Sequence, residues 1–264
     1  MITRRLVTQA CCLGPEPLRT SAGDVALLSR CHPERGPNQD GVLVLDAGEA
    51  GVVLAVADGM GGHADGELAA RLALESVADE VEQAVSSGDA LLPAVRAGFE
   101  RAGRTIAELG TGAGTTLVAT LVHGARARSV HTGDSLGLVC DAEGILQHRT
   151  RDHSPSGYAL AAGLISEEDA LLRTDRNVVL SALGYPEPRI EEGPVLALGP
   201  GASVLLASDG LTDNLLTGEI LDLLEEPGSS ADAVAALDER ARDAMESELG
   251  KRDDLSLLLL RRGA

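Results

Sequence analysis

Four aspartates stand where an apolar stretch begins or ends: Asp40 in Asn38-Gln39-Asp40, Asp58 after Val53–Ala57, Asp209 after Val204–Ser208, and Asp253 just before Leu255. A fifth, Asp134, lies in Thr132-Gly133-Asp134-Ser135. Carboxylates brought close together cannot all stay ionised unless a cation neutralises them. Ligation by oxygen alone suits a hard ion, Mg²⁺ or Mn²⁺, better than zinc, which prefers His and Cys. Arg35 precedes Asp40 in the same loop, and a guanidinium there is suited to gripping a phosphate with its fork of donors. One Asp-Gly pair alone is better explained by a tight turn. The repetition, Asp58-Gly59 and Asp209-Gly210 each behind a short apolar run, is what suggests one shared site.

These side chains need elements to carry them. Short apolar runs bounded by glycine or turn residues read as strands at 24–29, 41–45, 51–57, 115–122, 127–131, 136–140, 145–148, 195–198, 204–208 and 255–260. Ala70, Leu74, Val77, Val81 and Val85 recur at helical spacing, as do Leu91, Val95, Phe99, Ala102 and Ile106, so two amphipathic helices are expected. Shorter helices are expected at 158–162, 167–171 and 218–225, and a longer one over 230–249. Residues 1–22, with Gly14-Pro15-Glu16-Pro17, read as an N-terminal extension ahead of one domain over 23–264. Strands grouped together, with long helices between the groups, argue against a doubly wound parallel sheet. They point to an α+β fold, a four-layer α-β-β-α sandwich with two central antiparallel sheets.

The chain carries 41 acidic against 22 basic residues, a formal charge of −19. Such a balance disfavours nucleic acid and anionic membranes and favours cations wherever carboxylates converge. Aromatics are only 1% of the residues, so the core must be built from aliphatic side chains. Cys11, Cys12, Cys31 and Cys140 lack zinc-site spacing, and an adjacent pair is awkward for a disulfide framework; reduced thiols are the economical reading. The start of the chain only faintly mimics a signal peptide and no run approaches a membrane span, so the expectation is a soluble, cytoplasmic protein. Gly110–Thr116 imitates a phosphate-binding loop but lacks the lysine and precedes a strand. His63 and His153 lie nearest the acidic motifs and read as structural.

The motifs occur in an ordered series: Arg35-x-x-Asn38-Gln39-Asp40; Val56-Ala-Asp58-Gly-Met-Gly-Gly-His-x-x-Gly-Glu67; Gly114-Thr-Thr116; Gly133-Asp-Ser135; Asp152-His-Ser154; Ala162–Glu168; Arg176-Asn177 leading to Ala182-Leu-Gly184; Ala207–Asp213; and Asp253-Asp-Leu-Ser256. This series, running from about residue 24 to 261, resembles the metal-dependent Ser/Thr protein phosphatases of the PPM (type 2C) family, in its bacterial branch. The resemblance implies that Asp40, Asp58, Asp209, Asp253 and the Gly59 carbonyl hold two Mn²⁺ or Mg²⁺ ions, and that a water bridging them attacks phosphorus. It implies Arg35 as the catalytic residue that orients the phosphoryl group, Asp134 as sharing a third, weaker ion with Asp209, and residues 155–180 as a flap. The implied partners are phosphorylated Ser/Thr proteins, Ser/Thr kinases among them, with the enzyme a monomer.

Four positions depart from the family pattern. Gln39 stands where many members have Glu, Leu136 where many have Arg, and Asp254 where Asn is usual beside the ligand. Met60 occupies the place of a His proposed as general acid in animal enzymes, so protonation of the leaving oxygen has no assigned residue. None of the four removes a core carboxylate. Two other classes compete: a catalytically silent member of the fold acting as a regulatory binding module, and an acidic calcium-binding protein. The latter lacks its loop of alternating carboxylates.

Overall fold

Alternation along the strands decides what each sheet faces. The computed structural model describes residues 2–34, 36–61 and 64–263, so Arg35 and His63 lie outside the described residues. In chain order the strands are β1 (Thr3–Thr8), β2 (Cys12–Thr20), β3 (Gly23–Arg30), β4 (Asp40–Asp46), β5 (Val52–Met60), β6 (Gly114–Thr115), β7 (Leu117–His123), β8 (Arg126–Thr132), β9 (Leu136–Cys140), β10 (Leu146–Arg149), β11 (Glu191–Glu192), β12 (Leu196–Ala197), β13 (Ser203–Ala207) and β14 (Leu255–Arg262). The helices are α1 (Ala64–Ser87), α2 (Leu91–Ala107), α3 (Pro155–Ala161), α4 (Glu167–Leu171), α5 (Asp209–Thr212), α6 (Thr217–Glu225) and α7 (Ser230–Met245). One sheet runs β1-β4-β5-β7-β8-β11, with β6 on β5 and β12 on β8; the other runs β10-β9-β13-β14-β3-β2. Every pairing is antiparallel.

Because side chains alternate faces along a strand, β4 sends Leu43 and Leu45 one way and Val42 and Val44 the other. Leu43 and Leu45 meet α1 and α2, packing with Ala70, Leu74, Val77, Val81, Val95 and Phe99. Val42 and Val44 meet the second sheet through Val25, Leu27, Val204, Leu206, Leu258 and Leu260. The far side of that sheet, including Leu205, Leu257 and Leu259, is covered by Leu211, Ile220, Val234 and Leu237 from α5, α6 and α7. The result is the expected α-β-β-α sandwich. Both helical stripes read from the sequence face the core, Val85 being the one member left partly exposed. Full burial of a Leu, Val or Phe side chain contributes about 1.5–3 kcal/mol.

The structure departs from the sequence reading chiefly at the start of the chain. Residues 3–20, expected as an extension, form β1 and β2, which pair with β4 and β3 at sheet edges. Pro15 and Pro17 disguised β2, and an edge strand tolerates them because one side of its ladder is unpaired. The strand expected over 115–122 is broken at Thr116 into β6 and β7, and the helix expected over 230–249 ends at Met245. Gly250 follows, where a Cβ would stand 2.2 Å from the Ala244 carbonyl oxygen, so the turn requires glycine. Residues 155–180 hold α3, α4 and turns. No described helix is long and apolar enough to cross a membrane.

Candidate metal centre

Strand direction brings the carboxylates together. Asp40 opens β4 directly opposite Asp58 near the end of β5. Asp209 follows β13 and Asp253 precedes β14, and the end of β13 lies beside the start of β14 through the Ala207–Leu257 pair. Asp134 sits in the turn between β8 and β9, and β9 begins beside the end of β13 through the Leu136–Ala207 pair. All five acids therefore gather where the two sheets end on one side. Asp58, Gly59, Asp134, Asp209 and Asp253 line one cleft of about 250 Å³. Asp40, paired with Asp58 across β4 and β5, is 1% exposed.

The surroundings are hostile to so many charges. Burial, then the neighbouring Asp254, Asp209 and Asp253, push the Asp40 carboxyl well above the usual carboxylate range. Burial and the charges of Asp209, Asp40, Asp253 and Asp134 do the same to Asp58. Asp134 is raised by burial, Asp209, Asp152 and Asp213. The Asp40 Oδ2 atom is buried with no hydrogen-bond partner, a state that costs free energy unless a cation or proton satisfies it. The donor set is all oxygen, over-charged and largely withdrawn from solvent, with Asp40 and Asp134 buried, and a hard divalent ion fits it.

Hydroxyl and amide contacts hold these acids in place. The Asp58 N–H donates to Thr116 Oγ1 at 3.1 Å, and the Asp58 carbonyl accepts from Thr116 N–H at 2.9 Å and from Thr115 Oγ1 at 2.8 Å. Thr116 Oγ1 lies 2.6 Å from Ser135 Oγ, linking this clamp to the Asp134 turn. The Gly110–Thr116 stretch thus positions Asp58, a task its sequence did not announce. Gly59 cannot be replaced freely, because a Cβ there would lie 2.0 Å from the Gly66 carbonyl oxygen. Asn38 Nδ2 donates to Ala10 O at 2.6 Å and Ser29 Oγ at 2.9 Å, while its Oδ1 accepts the Asp40 N–H at 2.9 Å.

Asp254 has other work. Its carboxylate accepts the His32 N–H at 2.6 Å and the Gln39 N–H at 2.8 Å, tying the strand β14 approach to the loop before Asp40. Asp253 instead faces Lys251, whose Nζ lies 3.1 Å from Asp253 Oδ2, 2.7 Å from Asp209 Oδ2 and 2.5 Å from Asp213 Oδ2. Burial opposes the Asp209 charge, but Lys251 outweighs it and holds that carboxyl low. Burial and Asp209 raise Asp213 to about 7. Neither Lys251 nor Asp213 was singled out from the sequence; a lone lysine in Gly250-Lys-Arg-Asp-Asp254 gives no spacing signal.

The remaining candidates take simpler roles. His153 Nδ1 accepts the Gly133 N–H at 3.2 Å and its own N–H donates to Gly133 O at 2.9 Å, bracing the Asp134 turn. It stacks on His131 with ring centroids 4.8 Å apart. These two rings and Glu191 form a compact trio, but Glu191 already pairs with Arg151 at 2.8 Å and Arg189 at 3.1 Å, which disfavours an added cation. Leu136 is 1% exposed and packs in the second-sheet core, an apolar use of a position where the resemblance led to an arginine. Met60 extends β5 opposite Gly114 and offers no proton.

A four-layer sandwich with an all-carboxylate centre at one end of its sheets defines the class of the type 2C phosphatases, and residues 30–250 match the sequence profile of the Protein phosphatase 2C family. The chain belongs to that family. It is 29% identical over 237 residues to the serine/threonine phosphatase stp of Listeria welshimeri, covering 86% of this chain and 91% of that protein. It is 36% identical over 183 residues to the serine/threonine protein phosphatase PstP of Mycobacterium tuberculosis, covering 66% of this chain and 34% of that longer protein. The crystal structure of the PstP catalytic domain in complex with 2 manganese ions superposes with a TM-score of 0.73 at 31% identity, covering 91% of this chain and 98% of that one.

Proposed function

We infer that this chain is a metal-dependent phosphatase that hydrolyses phosphoserine and phosphothreonine monoesters on proteins. The single observation carrying this is the convergence of Asp40, Asp58, Asp134, Asp209 and Asp253 at one sheet end, with Asp40 Oδ2 buried and unpartnered. Asp40, Asp58, Asp209, Asp253 and the Gly59 carbonyl would hold two Mn²⁺ or Mg²⁺ ions, and Asp134 would share a third with Asp209. Two such ions supply a water acidified for attack at neutral pH and a clamp on the phosphoryl oxygens. The Thr115–Thr116 clamp keeps Asp58 in place during that chemistry, and Arg35 would orient the phosphoryl group through its donors. Membership of the family and the phosphatase names of its relatives support the same reading.

The finer readings follow from the same base: a cytoplasmic monomer opposing Ser/Thr kinases, with 155–180 as the flap. The rival is a silent binding module, and it is disfavoured because no core carboxylate has been lost. Hydrolysis of a small aryl phosphate and of phosphothreonine peptides should require Mn²⁺ and vanish with EDTA. Asp209→Ala should remove activity while leaving the protein folded. Turnover that survives EDTA, or persists in Asp209→Ala, would overturn the mechanism; tight Mn²⁺ binding without any phosphoester turnover would favour the silent module.

A further inference from the structure

Lys251 is the one ammonium inside the acidic centre among the described residues. Its placement is built rather than incidental: Asn214 Oδ1 accepts the Lys251 N–H at 2.9 Å, and Asn214 Nδ2 donates to the Lys251 carbonyl at 2.9 Å. That pair of hydrogen bonds to the segment after α5 fixes the start of the lysine side chain. The stem is largely enclosed, with 16% of the side chain exposed. The head reaches Oδ2 of Asp209, Asp213 and Asp253 together. Two of these three acids belong to the proposed ion-holding set; Asp213 does not.

We propose that Lys251 is a tethered cation that competes with a divalent ion for Asp209 and Asp253, and that Asp213 is the position to which its ammonium retires when the ion enters. The inference rests on the metal-dependent reading above and adds to it a residue that sets metal affinity. An ammonium on Asp209 Oδ2 and Asp253 Oδ2 occupies two of the carboxylates that would hold an incoming ion, and like charges at that range repel strongly in a buried setting. Lys251 therefore keeps the ion-free centre from carrying its whole negative charge uncompensated. The same contact would weaken the hold that Asp209 and Asp253 exert on an ion. Asp213, close enough to keep the ammonium after it leaves the other two acids, prevents a buried charge from being stranded.

Mn²⁺ binding to metal-stripped protein, followed by calorimetry and by the electron paramagnetic resonance of free Mn²⁺, tests this without reference to turnover. Lys251→Met, which keeps the stem and removes the charge, should tighten the weaker Mn²⁺ site by about tenfold, the equivalent of one charge-assisted hydrogen bond. The melting temperature of the metal-free protein should fall and its rise on adding Mn²⁺ should grow. Lys251→Arg, which keeps the charge, should resemble the wild type. Asp213→Asn should weaken Mn²⁺ binding in the wild-type background and have little effect in the Lys251→Met background, because the two act through one contact. Equal or weaker Mn²⁺ binding in Lys251→Met overturns the competition. An Asp213→Asn effect of the same size in both backgrounds overturns the retirement position. A wild-type protein that binds no Mn²⁺ removes the metal centre itself, an outcome distinct from either.

Discussion

Replacing Thr116 by valine tests whether a hydroxyl holds the Asp58 backbone in register. Thr116 is 1% exposed, and valine fills nearly the same volume, so the substitution deletes little packing. It removes the acceptor of the Asp58 N–H at 3.1 Å and the 2.6 Å contact to Ser135 Oγ. The Asp58 N–H is then left without a partner beside the acid cluster. A buried donor left unsatisfied costs about 1–3 kcal/mol, and loss of the second bond adds about 1 kcal/mol. For a chain of this size each kcal/mol lowers the melting temperature by about 2–4 °C. Thr116→Val should therefore melt roughly 4–16 °C below the wild type, measured with Mn²⁺ present by circular dichroism. Since Asp58 loses one of the three bonds that hold its backbone, kcat/KM on an aryl phosphate should drop and the Mn²⁺ concentration needed for half-activation should rise. Thr116→Ser keeps the hydroxyl and should recover most of both. A Thr116→Val protein with unchanged melting temperature and unchanged Mn²⁺ dependence would refute the clamp.

The metal-free protein should show an inverted response to pH. Asp40, Asp58 and Asp134 are held well above the usual carboxylate range by burial and mutual repulsion, and Asp213 is raised to about 7. The folded state then binds more protons than the unfolded chain, so stability falls as pH rises through these values. His131, lowered to about 4 by burial, and His148 and His153, also lowered, oppose this only below the ordinary histidine range near 6.5. In EDTA the melting temperature should climb as pH drops from 8 to about 6.5, and saturating Mn²⁺ should abolish the climb; a flat profile in EDTA would contradict the crowding of charge. Asp254→Asn should lose one of the two backbone bonds at 2.6 and 2.8 Å. A destabilisation of about 1–2 kcal/mol in urea is expected, with the number of bound Mn²⁺ ions unchanged; loss of an ion would place Asp254 rather than Asp253 among the ligands.

How much of this was legible beforehand depends on the range over which each feature is encoded. The stripes of α1 and α2 and the runs of β4, β5, β13 and β14 are written in the spacing of neighbours, which places their ends within a few residues of those observed. β1 and β2 were lost because edge strands bury little and tolerate proline. β11 and α5 fall outside the sequence reading because two- and four-residue elements leave no period to detect. The ordered aspartate motifs pointed to one acidic centre because each sits at the end of a strand, a local fact.

Which groups meet there is not local. Asp40 faces Asp58 only because β4 and β5 pair in that register, and Asp209 meets Asp253 only because β13 and β14 run antiparallel. The same folding turned Asp254 toward two backbone amides, spent Leu136 on the core, and gave Thr116 the task of holding Asp58. It also carried Lys251 into the midst of the acids. Sequence by itself determined the types of residue and the strand ends that present them. Tertiary structure alone decided their partners, because a side chain's charge and reach act across a few ångströms of space whatever the distance along the chain.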